Sequence, residues 1–286
     1  MGLFECQFDP KGFEVTPEIL DNYNKLGYVV IRGLFDSEDL ENIKKVVEGS
    51  DALVKHAYTR GTISDHPATL ALWNQPGNDV TGMVARCEKV VGISEKLLGG
   101  EVYHYHSKLI MKNANTGGKH IWHQDYGYWY QYGCLKPDML TMFIAYDKCT
   151  KENGCLEILV GSHQYGRVDH LMISGQQGAD PKRVGHIAKH TESQFVELNP
   201  GDALFFHCNV LHQSQPNTSP NRRWALISAY NRASNSPVIE SAHPQYTPLE
   251  KVPDSCVKEC KNYTDMSGKA FFKPTSNNLF QPINTK

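Results

Sequence analysis

The chain lacks most of the features that would place it in a class at a glance. Nowhere in its 286 residues does an apolar run reach the length of a membrane span, so no membrane segment is expected. No charge of one sign dominates: 29 Lys and Arg stand against 31 Asp and Glu, a formal net charge of −2. The basic residues do not cluster either, because Lys182-Arg183 and Arg222-Arg223 are isolated pairs, and no nucleic-acid partner is expected. The opening MGLFECQFDP has neither a charged n-region nor an apolar h-region, and Cys6 stands where a myristoylation signal has Ser or Thr. A cytoplasmic protein is expected, with its eight scattered cysteines reduced. Cys256 and Cys260 lie close together as CVKEC, but no second pair completes a structural zinc site. No internal repeat is visible.

What is present begins with helical signals. Thr16 caps TPEILDNYNKLG, which Gly27 closes, and the β-branched YVVIRGL at 28–34 reads as a strand. Asp36 or Ser37 then caps SEDLENIKKVVEG, whose Leu40, Ile43, Val46 and Val47 form an apolar stripe. Residues 50–80 read as loop with at most one helical turn, and 80–98 as one helix ended by Gly99-Gly100. After Gly100 the texture changes to short apolar runs between turn signals: VYHYHSKLIMK, HIWHQDYGYWY, MLTMFIAYD, CLEILV, QFVELN, ALFFHCNVLH and RWALISAYN. Such runs predict an antiparallel sandwich or barrel. Helices first and strands after make the class α+β, a helical layer against a β-sandwich. From about Pro237 the chain is polar and Pro-rich, and reads as a covering segment or lid followed by a loosely ordered tail.

The stretch His120–Tyr130 carries the chemistry. It sets His123 and Asp125 one residue apart, and alternate side chains of an extended strand share a face. Two histidines and one carboxylate, with positions left open, are the ligand set of non-haem Fe(II) oxygenases. His212 ends one strand run and Arg223 opens the next, eleven residues later. A hairpin would bring them together on adjacent antiparallel strands, supplying a third ligand and a fork donor suited to a carboxylate.

With those residues in view, the chain resembles the phytanoyl-CoA dioxygenase superfamily of iron- and 2-oxoglutarate-dependent oxygenases, from YNKLGYVVIRGLFDSEDL to about Asn235. Within it the likeness is to ectoine hydroxylase-like members and, more loosely, to free-amino-acid hydroxylases. W-H-x-D-[FY]-x-x-W is met by Trp122–Trp129, N-G-x-L-x-x-x-x-G-S-H by Asn153–His163, and C-N-V-x-H-x-S-x-x-N by Cys208–Asn217. The resemblance implies one domain over 1–286: a helical part at 14–100, a double-stranded β-helix (jelly-roll, cupin-like) core at 101–236, and a covering segment and tail at 237–286. It implies that His123, Asp125 and His212 bind Fe(II), and that Arg223, helped by Ser214, binds the distal carboxylate of 2-oxoglutarate. One metal position is then left for O2. Because position 125 is Asp and not Ala or Gly, hydroxylation is expected and not halogenation.

The substrate contacts follow from the same stretches. Lys108 is a candidate for a carboxylate of co-substrate or substrate. His106 shares its strand face and falls where ectoine hydroxylase-like members carry a substrate-contacting Gln. Trp129 and Tyr126 would line the pocket, their rings attracting a cation or zwitterion. The function expected is hydroxylation of a small zwitterionic metabolite, a cyclic amino acid or ectoine-like compound, with release of succinate and CO2. Alternatives are an acyl-CoA or lipid-derived acid as substrate, a catalytically silent metal-binding jelly roll, and a zinc hydrolase. A small-molecule substrate is the partner expected, and a homodimer is left open.

Overall fold

The N-terminal elements form where their caps direct them. In the computed structural model, which describes residues 2–60, 68–116 and 118–272, a short strand β1 (Glu5–Gln7) precedes helix α1 (Pro17–Leu26). The Thr16 hydroxyl accepts from the Ile19 amide at 3.3 Å, and Gly27 ends α1 at φ 84°. A side chain at Gly27 would also strike the His163 ring at 2.5 Å, so glycine is required there twice over. Strand β2 (Tyr28–Arg32) follows, and helix α2 (Ser37–Val47) starts on a reciprocal cap between Asp36 and Asp39.

The next stretch departs from expectation. Residues 50–80 hold two strands, β3 (Tyr58–Arg60) and β4 (Ala68–Asn74), besides a single helical turn. In β4, Leu70 and Leu72 face one core while Ala71 and Trp73 face another. A strand buried on both faces shows no polar alternation to read. The single helix expected at 80–98 is two, α3 (Val80–Arg86) and α4 (Glu88–Leu98), broken at Cys87 (φ −63°, ψ 147°). The break is occupied by a distant segment: Glu88 donates to the Val252 carbonyl at 3.0 Å, and Val252 donates to that of Arg86 at 3.1 Å. Residues far along the chain thus decide where the helix stops.

Thereafter come β5 (Val102–Lys112), β6 (His120–His123), α5 (Asp125–Trp129), β7 (Met139–Ala145) and β8 (Leu156–Leu159). A hairpin of β9 (His170–Ile173) and β10 (Gln176–Ala179) leads to α6 (Pro181–Ala188), none of the three foreseen in the sequence. Then follow β11 (Ser193–Val196), β12 (Ala203–His207), β13 (His212–Ser214), β14 (Arg223–Arg232), α7 (Cys256–Glu259) and β15 (Ala270–Phe271). The larger sheet runs β1-β2-β12-β7-β14-β5-β4-β15 with β3 on β4, and the smaller runs β11-β8-β13-β6. Between the sheets Phe143, Ile158, Leu204, Phe206 and Ile227 form one core. On the outer face of the larger sheet Val29, Met142 and Phe205 pack with Ile43, Val46 and Val90 of the helices in a second. This is the expected jelly roll backed by a helical layer. Among the described residues no helix is long and apolar enough to cross a membrane.

Three expectations need correction. HIWHQDYGYWY is a strand only to His123, and from Asp125 it is helical. ALFFHCNVLH is two strands, β12 in the larger sheet and β13 in the smaller, so the chain crosses between sheets at Cys208–Leu211. His212 and Arg223 therefore do not face each other across a hairpin; they lie on opposite sheets and meet across the interior. The expected tail beyond 272, and the part of the expected loop at 61–67, fall outside the described residues.

The covering segment is tied down by a buried ion pair: Lys269 Nζ lies 2.7 Å from Asp79 Oδ2, both side chains 0% exposed. Lys269→Ala would leave Asp79 charged and unpaired in the interior. The variant should lose about 3–5 kcal/mol in urea unfolding; a loss under about 1 kcal/mol would contradict the anchoring role.

Candidate metal centre

Backbone pairing makes the centre. His212 sits opposite His123 in the β13–β6 ladder, which brings the two imidazole centroids to 4.1 Å. Gln124 remains extended (φ −116°, ψ 138°), so Asp125, the first residue of α5, still projects to the side of His123. Ligand atoms of His123, Asp125 and His212 all lie within 4.8 Å of one another, and all three residues are buried. Gln124 points the other way and knits the surrounding loops: its side chain donates to the carbonyls of Gly166 and Asn209 and accepts from the Val168 amide.

The hydrogen bonds around the three leave the right atoms exposed. His123 Nδ1 lies 2.7 Å from the Ile121 carbonyl and His212 Nδ1 lies 3.0 Å from that of Val210. A carbonyl accepts only, so each Nδ1 carries the proton and each Nε2 keeps its lone pair for a metal. Burial pushes His123 well below its ordinary pKa, reinforced by His212, and burial lowers His212 as well. Both rings are neutral, as ligation requires. The Thr141 hydroxyl donates to Asp125 Oδ2 at 2.6 Å, and Lys108 Nζ stands 3.9 Å from Oδ1. Burial alone would raise Asp125, but Lys108, with the Thr141 hydrogen bond, holds it below the ordinary carboxylate range.

The cavity bounded by this triad holds only about 30 Å³, room for one water, and reaches Arg223 and Ser214 at its far end. Arg223 is 1% exposed and donates to the Gly154 carbonyl at 2.6 Å, while its Nε finds no partner among the described residues. Beside it is Lys112, opposite Arg223 in the β14–β5 register and 0% exposed. Its ammonium donates to Ser214 Oγ at 2.8 Å and to the Gln215 carbonyl. Burial, with Arg223 adding, pushes Lys112 down to about 6. Neither cation forms an ion pair among the described residues. A buried guanidinium beside a buried lysine amine, with only neutral acceptors for both, marks a place for an anion.

The residues expected at the substrate side are placed as follows. His106 and Lys108 share the inner face of β5, and a bulge at the β14 pairing turns His104 to the opposite face, where it meets Ser107 at 2.7 Å. Trp129, one helical turn beyond Asp125, packs edge-on against His106 at 5.6 Å and against Tyr105 at 5.5 Å. Tyr126 turns aside and donates to the Cys134 carbonyl at 3.0 Å. Tyr128 instead stands beside the His123 ring, at 5.8 Å, and donates to Gln177 of the β9–β10 hairpin. The helix α5, and not a strand, positions Tyr126, Tyr128 and Trp129. Lys112 and Thr141 were not singled out in the sequence. Both were findable, Lys112 as the fourth inward position of the face that carries His106, Lys108 and Ile110, and Thr141 as the lone hydroxyl in the apolar run MLTMFIA.

The sequence profile of phytanoyl-CoA dioxygenase matches residues 23–225. The chain belongs to the phytanoyl-CoA dioxygenase family. It is accordingly an iron- and 2-oxoglutarate-dependent dioxygenase acting on a small molecule. Among its relatives is the L-proline trans-4-hydroxylase of Streptomyces griseoviridis, 33% identical over 188 residues, 60% of this chain and 69% of that one. The ectoine dioxygenase of Stutzerimonas stutzeri (strain A1501) is 24% identical over 249 residues, 80% of each chain. The family fold recurs in the crystal structure of EctD from S. alaskensis with 2-oxoglutarate and 5-hydroxyectoine. That structure has TM-score 0.68 and 22% identity, and covers 83% of this chain and 88% of its own. The same protein has been crystallised with bound Fe.

Thr141 offers the sharpest check on the centre. Thr141→Val removes the hydroxyl that fixes the Asp125 carboxylate and keeps the side-chain volume. Fe(II) affinity, measured by anaerobic titration, should fall about 10- to 100-fold; an unchanged affinity would mean that Asp125 is not a ligand.

Proposed function

We propose that His123, Asp125 and His212 hold the Fe(II), that Arg223 and Lys112 grip the distal carboxylate of 2-oxoglutarate, and that the substrate is a small zwitterionic metabolite, a cyclic amino acid or ectoine-like compound. The whole chain, 1–286, is read as the single domain that does this. One observation carries the reading: three side chains able to hold a metal share a buried cavity with Arg223, which forms no ion pair among the described residues, and Lys112 stands behind Ser214 at the same end. A silent metal-binding protein has no use for the second half of that arrangement.

The donor set fits iron. Two neutral imidazoles and one carboxylate leave open positions, whereas a structural zinc site is closed by four ligands. Iron, when bound there, supplies the oxidative decarboxylation of 2-oxoglutarate to succinate and CO2, coupled to hydroxylation of a C–H bond. The chain's own part is placement. Arg223 presents a planar fork to a carboxylate, Lys112 adds a point charge beside it, and Ser214 Oγ, held by Lys112, is set to turn its proton toward the same group. Lys108 faces the metal side and is read as the contact for a substrate carboxylate. The cavity must widen to admit 2-oxoglutarate, since one water's volume does not hold it.

Succinate release that needs Fe(II) and is not sustained by Zn(II) tests the reading directly. His212→Ala should lose both stoichiometric iron and turnover; full activity with iron retained would contradict the ligand assignment.

Lys112 gives a second test, through pH. Its folded pKa of about 6 makes it largely neutral at neutral pH, and a carboxylate set against it raises that pKa. Arg223, Cys149 and Cys155 are the ionisable groups acting on it. Binding of 2-oxoglutarate therefore takes up a proton, and affinity falls as pH rises from about 7 to 9, at most about tenfold per unit. Calorimetry in buffers of different ionisation enthalpy should show the uptake, and Lys112→Met should abolish it. An affinity independent of pH, with no proton uptake, would remove Lys112 from the anion site.

A further inference from the structure

The C-terminal covering segment delivers one side chain into the interior next to the metal centre, and the function proposed above does not use it. His243 is 5% exposed. Its ring stacks on Tyr105 at 4.8 Å with an interplanar angle of 11°, and lies 4.6 Å from Tyr132 and 5.5 Å from His106. Two contacts hold the backbone there: Asn74 Nδ2 donates to the Ala242 carbonyl, and the His243 amide donates to Ser241 Oγ at 3.1 Å. The residue falls beyond the 23–225 matched by the family profile.

The box that His243 completes is unsatisfied. His106 Nδ1 and Nε2 and His243 Nδ1 are buried with no hydrogen-bond partner among the described residues. Buried polar atoms are nearly always paired, so several unpaired ones together mark a ligand's place. The box sits beside the chemistry: Trp129 is one helical turn from Asp125, and His106 is one strand repeat from Lys108 on the same face. Among the described residues no carboxylate stands in ring or hydrogen-bond contact with His243. The box presents two imidazoles, and its walls are the rings of Tyr105, Trp129 and Tyr132. Burial pushes His243 down to about 3, so that ring is neutral and offers a lone pair.

We infer that His243, with His106, reads the nitrogen of the substrate, and that the substrate class is a ring-bearing secondary ammonium acid. A secondary ammonium carries two N–H donors, one for each imidazole, and its charge suits the aromatic walls. The carboxylate would then fall toward Lys108. A quaternary ammonium keeps the attraction of the rings but has no hydrogen to give. The site should therefore discriminate between a cyclic imino acid and the same compound bearing two N-methyl groups.

This inference rests on the 2-oxoglutarate reading, and the two are tested apart. Wild-type protein with Fe(II) and 2-oxoglutarate but no substrate is assayed first for slow succinate release; its absence would overturn both. KM and kcat are then measured for L-proline, L-pipecolate and their N,N-dimethyl betaines, with wild type, His243→Phe and His243→Gln. Wild type should prefer an imino acid to its betaine by at least about tenfold in KM, the worth of one hydrogen bond to a charged group. His243→Phe should raise the imino acid's KM by about 10- to 100-fold, with kcat changed far less, and should erase the preference. His243→Gln, whose side-chain carbonyl accepts a hydrogen bond, should recover most of it. The preference is a ratio within each protein, so partial loss of folded variant does not alter it. A wild type that takes the betaine as readily, one that releases succinate without responding to any of the imino acids, or a His243→Phe variant with unchanged preference would each overturn the inference.

Discussion

The pairing of His212 with His123 across the β13–β6 ladder is the constraint on which the rest depends. Each histidine anchors its ring on the carbonyl two residues earlier in its own chain, Val210 for one and Ile121 for the other. The same backbone device, used on two facing strands, presents two lone pairs to one point. Asp125 completes the set because the strand ends just before it while Gln124 stays extended. Had β6 run on, its edge would have continued past the centre; a helical turn instead carries Trp129 back toward the interior of the roll.

Charge is partitioned along the cavity. At one end Lys108 and the Thr141 hydroxyl hold Asp125 below the ordinary carboxylate range. At the other, Arg223 and Lys112 stand buried with only neutral oxygens as partners. Burying Arg223 and Lys112 side by side keeps the lysine largely neutral until an anion joins them, and leaves the guanidinium without a counter-charge among the described residues. The cost of that burial is sustained by the apolar interior between the sheets and by the second core beneath the helices. The proposed site would thus suit a ligand with a carboxylate at one end and metal-binding oxygens at the other.

Much of this was legible in the residues, and the failures have physical causes. Capping chemistry placed α1 and α2 almost to the residue, because Thr16, Asp36 and Gly27 act locally. The metal triad was readable because spacing and residue type coincide in His123, Asp125 and His212. The aromatic run after Asp125 misled, since Tyr, Trp and Tyr favour strands and nothing local shows that Gly127 must pack against the His170 ring. Cys87 breaks a helix through Val252, more than 160 residues away, and no local pattern reports that. The route from β12 to β13 fails similarly: Cys208–Leu211 has no turn signal, yet there the chain changes sheets. Lys112 escaped notice because a lysine at the end of a strand ordinarily lies in solvent, and only the fold shows it fully enclosed.

A crystal grown anaerobically with Fe(II) and 2-oxoglutarate tests the central claim most directly, by anomalous diffraction at the iron edge. The account predicts one strong peak equidistant from His123 Nε2, His212 Nε2 and an Asp125 oxygen. It also predicts 2-oxoglutarate reaching from that peak to a distal carboxylate against Arg223 and Lys112. Iron held elsewhere, or a distal carboxylate bound away from both cations, would contradict it.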